Sequence, residues 1–99
     1  MNVLLQTKEF SEWLRGLRDL LAKARIVARL SAAEAGNFGE CAPVGDGVSE
    51  MKIHAGPGYR VYYTRAGDVI YVLLCGGNKS TQKADIRRAK AMARQARKE

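Results

Sequence analysis

Between residues 52 and 79 the chain carries Lys52, His54, Arg60, Tyr62 and Lys79, side chains able to move protons or hold an anion. Cations placed around a phosphodiester stabilise the charge that builds in a pentacoordinate transition state. An imidazole, with an unperturbed pKa of about 6.5, suits proton transfer near neutral pH. A phenol assists only where a neighbouring cation lowers its pKa. With RNA as substrate the 2′-hydroxyl is itself the nucleophile, so the protein need supply only a base, an acid and cations. We therefore expect Arg60, Lys79, His54 and Tyr62 to be catalytic and Lys52, Lys83, Arg87 and Arg88 to contact RNA, with no metal or cofactor required. The single histidine has no cysteine or histidine at metal-ligand spacing. The glycines at 56, 58, 76 and 77 fit neither a P-loop nor a dinucleotide fingerprint. Free amides at the start of a helix after Lys79 would add to an anion site.

Two short strands must position most of this set. From Glu50 to Tyr63 the residues alternate about a Gly56-Pro57-Gly58 turn. Met51, Ile53, Val61 and Tyr63 would face one side of a sheet, and Lys52, His54, Arg60 and Tyr62 the other. Both faces stay consistent if His54 lies opposite Arg60 and Lys52 opposite Tyr62, across a connection of the five residues Ala55 to Tyr59. A loop one residue shorter would invert the side chains of one strand.

The flanking chain supplies a scaffold. Val3 to Thr7 predicts an edge strand, and Thr7 can cap a helix over Lys8 to Leu17 that buries Phe10, Trp13, Leu14 and Leu17. Gly16 marks a break, and a second helix starts near Arg18-Asp19 and stops at Gly36. Leu17, Leu20, Leu21, Ala24, Val27 and Ala28 form its expected buried stripe, with Lys23, Arg25 and Arg29 outside it. Residues Asn37 to Val48 hold three glycines and a proline and are expected to form a loop. After the turn Ala66-Gly67-Asp68, the run Val69 to Cys75 is apolar on both faces, as a central strand would be. Gly76-Gly77-Asn78 ends it, and Ser80 or Thr81 can cap a last helix. That helix would bury Ile86, Ala89, Met92, Ala93 and Ala96 and present Lys83, Arg87, Arg88, Lys90, Arg94, Arg97 and Lys98 elsewhere.

Length and charge bound the reading. The 99 residues make one domain, 1–99, close to the smallest size that buries a self-sufficient core. No run approaches the roughly 18 apolar residues of a membrane span, and no export leader is expected at the N-terminus. A cytoplasmic protein with both cysteines, Cys41 and Cys75, as reduced thiols is the consequent expectation. The net charge of +7 sits in the second half: residues 1–50 hold six Lys/Arg against seven Asp/Glu, residues 51–99 eleven against three. Such a field draws polyanions, nucleic acid first and acidic protein surfaces second.

Several blocks carry a resemblance. They are Phe10-Ser11-Glu12-Trp13-Leu14, Gly36-Asn37-Phe38-Gly39 and Gly45-Asp46-Gly47-Val48-Ser49-Glu50-Met51-Lys52-Ile53, then Gly56-Pro57-Gly58-Tyr59-Arg60-Val61-Tyr62-Tyr63 and Leu73-Leu74-Cys75-Gly76-Gly77-Asn78-Lys79-Ser80-Thr81-Gln82. In them the chain resembles the RelE/HigB-like toxins of type II toxin–antitoxin modules, in the phage-derived "addiction module killer protein" branch. The resemblance implies an α+β, RelE-like fold, a small mostly antiparallel sheet packed by an N-terminal helical hairpin and a C-terminal helix. It implies cleavage of messenger RNA during translation in the ribosomal A site. It also implies a cognate antitoxin, of helix-turn-helix type, through which alone operator DNA would be bound. Arg60 is similar in position to the family's phosphate-contacting strand arginine, and Lys79 falls where related toxins carry another cation. The chain departs from the pattern at Lys52, at Ala42 and at Ala55, where the family often has arginine, a nearby lysine and an aromatic residue. A ParE-like toxin that binds DNA gyrase, or a non-enzymatic basic binding protein, is the alternative. The antitoxin is expected on part of the basic surface, directly or by displacing the C-terminal helix.

Overall fold

The computed structural model describes residues 1–98, with side chains through Ala96; the expected roles of the Arg97 and Lys98 side chains lie outside the described residues. Five strands form one sheet: β1 (Val3–Gln6), β2 (Cys41–Gly45), β3 (Val48–Ile53), β4 (Tyr59–Arg65) and β5 (Ile70–Asn78), in the order β1-β5-β4-β3-β2. β1 runs parallel to β5, and every other pairing is antiparallel. Helices α1 (Lys8–Gly16) and α2 (Leu20–Glu34) cover one face and α3 (Gln82–Lys98) the other. This is the α+β arrangement that the resemblance implied.

The helix starts rest on single polar side chains. Thr7 accepts from the Phe10 amide at 3.0 Å and opens α1; Asp19 accepts from the Ala22 amide at 3.0 Å and opens α2. Gly36, at φ 102°, takes the left-handed position after α2. The buried stripe of α2 is Ala22, Ile26, Leu30 and Ala33 rather than the expected one; Leu20, Leu21, Ala24, Val27 and Ala28 are exposed. Both sets satisfy helical spacing, because α2 is apolar around most of its circumference. Ile26 and Leu30 join Phe10, Met51, Ile53, Val61 and Leu73 in the first core, each large side chain contributing about 1.5–3 kcal/mol by burial.

Residues 41–45 are a strand and not loop. Asp46 at φ 55° and Gly47 at φ 75° form a two-residue turn between Gly45 and Val48, the Asp-Gly hairpin signature, and Pro43 is tolerated because β2 is an edge. In the next hairpin the expected parity holds but the register differs: Lys52 pairs with Arg60, and Glu50, not Lys52, with Tyr62. The connection has five residues as expected but runs 54–58, one position earlier, which moves the pairing by two and leaves each face intact.

Between β4 and β5, Tyr62 pairs with Cys75 and Tyr63 with Leu73, so Leu74 is an extra residue. Leu74 and Cys75 both reach the second core, with Val48, Tyr62, Ala89 and Ala93 under α3. Burial pushes the Cys75 thiol up to about 11, which makes it an unreactive core residue at neutral pH. Beyond the bulge, Gly76 and Gly77 admit close neighbours on both faces. A Cβ on Gly76 would collide with the Trp13 ring of α1, and one on Gly77 with the Asp85 carboxylate of α3. Asn78, rather than Ser80 or Thr81, caps the next element. Its Oδ1 accepts from the Ser80 amide at 2.9 Å and the Thr81 amide at 3.3 Å, opening a 3-10 turn (Lys79–Thr81) that leads into α3.

Gly77→Ala should therefore destabilise the fold by about 1–3 kcal/mol in urea unfolding. Gly16→Ala, at the end of α1 with nothing within 4 Å of the added methyl, should be neutral or stabilise by up to about 1 kcal/mol.

Candidate anion-binding site

The β3–β4 connection, the start of β4 and the end of β5 enclose a pocket of about 500 Å³ lined by His54, Ala55, Gly56, Pro57, Gly58, Arg60 and Lys79. Arg60 is its deepest cation, with only 7% of its surface exposed. Its Nη1 donates to the carbonyls of Gly58 at 3.3 Å and Tyr59 at 3.2 Å. Its Nε is buried without a hydrogen-bond partner, and no carboxylate pairs with it among the described residues. The pairing strand places Lys52, a like charge, directly opposite. A buried guanidinium without a counter-charge is costly, because desolvation is uncompensated. An anion in the pocket would supply that counter-charge.

Lys79 reaches the same pocket from the end of β5. The Cβ that Gly58 lacks would sit 3.5 Å from Arg60 Nη1 and 3.5 Å from Lys79 Cβ. Gly58, at φ 79°, thus both closes the turn and keeps these two side chains in contact with one space. Lys79 is exposed and forms no ion pair among the described residues. The amides after it are not available to an anion, because the Asn78 side chain already occupies those of Ser80 and Thr81.

His54, the first residue of the connection, forms the third wall. Its Nε2 lies 2.9 Å from Glu40 Oε1. A carboxylate only accepts, so with Glu40 ionised Nε2 carries the proton and Nδ1 of the neutral ring keeps the lone pair. That hydrogen bond holds the Glu40 carboxyl below its ordinary value, opposed by desolvation and assisted to a lesser degree by the charges of His54, Lys52 and Arg29. Arg29 of α2 holds this corner together. Its Nη1 donates to the Lys52 carbonyl at 2.5 Å, and its Nη2 to those of Phe38 at 3.1 Å and Glu40 at 3.0 Å. Arg25 Nη1 donates to the His54 carbonyl at 3.2 Å. Residue types and spacing do not reveal Glu40, Arg29 and Arg25 as parts of this corner. Glu40 lies in a glycine-flanked segment, and nothing in spacing alone joins it to His54.

Tyr62 does not belong to the site. It is fully buried under α3, its hydroxyl has no hydrogen-bond partner, and its pKa is raised by burial and by Glu50, Asp85 and Cys75, against a lowering influence of Arg60. The condition for a catalytic phenol is reversed here. Arg88 is not a free cation either: Nε pairs with Glu9 at 2.7 Å and Nη2 with Asp85 at 3.2 Å, tying α3 to α1. Lys52 is half-buried with its Nζ 3.9 Å from Glu50 Oε1. Lys83 and Arg87 are exposed on α3 and outside the pocket lining. Tyr59 packs edge-on to Trp13 and Tyr63 stacks on Phe38, so neither ring is a free stacking platform.

Fold and pocket together define a small basic RelE-like domain with a buried arginine whose Nε is unpaired at the pocket. The chain belongs to the family described as phage-derived, Gp49-like protein (DUF891), whose profile matches residues 12–98. It is also 47% identical over 89 residues to an uncharacterised protein of Haemophilus influenzae, which covers 90% of each chain. The family is of the toxin–antitoxin toxin type and implies a cognate antitoxin as partner. Among the described residues no helix is long and apolar enough to cross a membrane, and no three His, Cys, Asp or Glu side chains group to hold a metal ion.

If the Arg60 guanidinium is an uncompensated charge, Arg60→Met should raise unfolding stability by about 1 kcal/mol or more while abolishing anion binding. Tyr62→Phe removes an unsatisfied hydroxyl and should be neutral or stabilising with anion binding intact. Urea unfolding and phosphate titration of both variants check the pair.

Proposed function

We propose that the chain is the toxin of a toxin–antitoxin module and acts as a ribosome-dependent endonuclease on messenger RNA, of the RelE/HigB type. The observation that carries this reading is the buried Arg60, its Nε unpartnered and no carboxylate beside it among the described residues, in a pocket that also holds Lys79 and His54. A scissile phosphate seated there accepts hydrogen bonds from Arg60 and a charge contact from Lys79. The substrate 2′-oxygen attacks phosphorus, and its proton passes to the free Nδ1 of His54. The P–O5′ bond breaks and the leaving oxygen takes a proton from solvent water, the hydroxide so formed being neutralised by the proton that His54 has accepted, giving a 2′,3′-cyclic phosphate and a 5′-hydroxyl end. Arg60 and Lys79 stabilise the charge of the pentacoordinate state. Glu40 keeps the imidazole in the tautomer that accepts a proton, and supports its positive charge once it has done so. Lys83 and Arg87, exposed on α3, contribute to RNA attraction through their charge. Translation brings the substrate, so the partners are the ribosome and its message in the cytoplasm, together with the antitoxin.

The test is transcript-end mapping after brief induction in cells lacking antitoxin, comparing wild type with Arg60→Ala and translating with blocked cells. Cuts inside coding regions that require translation and Arg60 support the proposal. Growth arrest with intact messages and damaged DNA would replace it with the gyrase-poison reading.

A further inference from the structure

The outward side of α2 is the part of this molecule that the anion site does not use. Leu20, Leu21 and Val27 expose 74%, 65% and 50% of their surface there. Leu20, Ala24, Val27 and Ser31 succeed one another at alternating steps of four and three, the seam of a coiled coil. Beside the seam, a groove of about 180 Å³ between α2 and β1 has an apolar wall that includes Leu4, Val27 and Leu30, with Gln6, Ser31 and Glu34 as its polar part toward the C-terminal end of α2. A helix side chain could enter it as a knob.

The charges around this face choose its occupant. Arg15, Arg18, Lys23 and Arg25 cluster about its N-terminal half, and none forms an ion pair among the described residues. Lys23 is directed back toward the end of α1, where its Nζ donates to the Arg15 carbonyl at 3.3 Å. A second copy of the chain, itself at +7, would press the same basic flanks together, and like-charge juxtaposition disfavours such pairing. An apolar helix with acidic flanks satisfies both features.

We propose that the outer face of α2 is the docking surface for an amphipathic helix of a partner protein, with leucine-type residues along its seam and Asp or Glu on both flanks. The toxin–antitoxin reading assigns that helix to the antitoxin. It also separates neutralisation from occupation of the Arg60 pocket: the helix lies across α2 and meets the site only at Arg25, whose guanidinium holds the His54 carbonyl. The residue pattern predicts the antitoxin on part of the basic surface, directly or by displacing the C-terminal helix; its helix is placed here on the apolar face of α2 instead.

The test uses two synthetic helices of about three heptads, each with leucine along the seam, one flanked by Glu and one by Lys. Their binding to the full chain is tracked by fluorescence anisotropy. The protein forms are wild type, a Leu20→Ser/Leu21→Ser/Val27→Ser variant and Leu5→Ser, whose exposed side chain lies on β1. Circular dichroism confirms that each variant folds. The Glu-flanked helix should bind wild type and Leu5→Ser alike, weaken with salt, and bind the triple variant at least about tenfold more weakly. The Lys-flanked helix should not bind. Equal binding of both helices, unchanged binding by the triple variant, or no binding of the Glu-flanked helix would overturn the proposal. So would a wild-type homodimer that the triple variant abolishes. No readout involves RNA, so a chain that binds the helix but leaves transcripts intact defeats the nuclease reading alone.

Discussion

A single guanidinium sets the constraint under which the rest of the sheet is built. Arg60 stands on a central strand, is almost wholly buried, faces Lys52 across the ladder and, among the described residues, has no carboxylate to neutralise it. Folding alone would select against that arrangement, because charge moved out of water without a partner is destabilising. The structure nevertheless holds it in place through two turn carbonyls and a glycine that leaves the space beside it open. The nearby acids are committed elsewhere. Glu50 accepts from Gln82 at 2.8 Å, and Asp85 accepts from Thr81 at 2.5 Å and from Arg88 at 3.2 Å. The Gln82–Glu50 bond ties α3 to β3, and the Asp85 bonds close the turn that opens α3.

The two faces of the sheet divide the work. Under α1 and α2 the packing is aromatic and aliphatic, and it fixes the β3–β4 hairpin from behind through Arg29 and Arg25. Under α3 the packing mixes apolar and charged groups. Gly76 and Gly77 join the halves, since each allows a helix to approach β5 from one side. Every residue lining the pocket comes from the hairpin or from the 3-10 turn that follows β5.

Much of this is legible from residue types. Strict alternation in the hairpin assigns Arg60 and Tyr62 to one face, and the central apolar run assigns β5 to the middle of the sheet. Alternation cannot say whether that face is open, so it makes Tyr62 look reachable although α3 covers it. The register slips because His54 belongs to the turn, held there by Arg25 and Glu40, partners far away in sequence. The strand β2 is announced by Asp46-Gly47, a signal outweighed by the surrounding glycines and proline. The α2 stripe is ambiguous because a helix apolar on two sides has two self-consistent readings. Only tertiary packing decides between them, and it leaves Leu20, Leu21 and Val27 outside.

The central claim is that Arg60 is held without a counter-charge, its Nε unpaired, so that an anion can complete it. The most direct measurement tracks the Arg60 Nε–H resonance by 15N NMR while the wild-type protein is titrated with inorganic phosphate. The account expects a saturable shift of that resonance together with protection from solvent exchange, while the Arg88 Nε–H, already paired with Glu9, stays fixed. An Arg60 resonance that does not move, or that moves no more than that of Arg88, would contradict it.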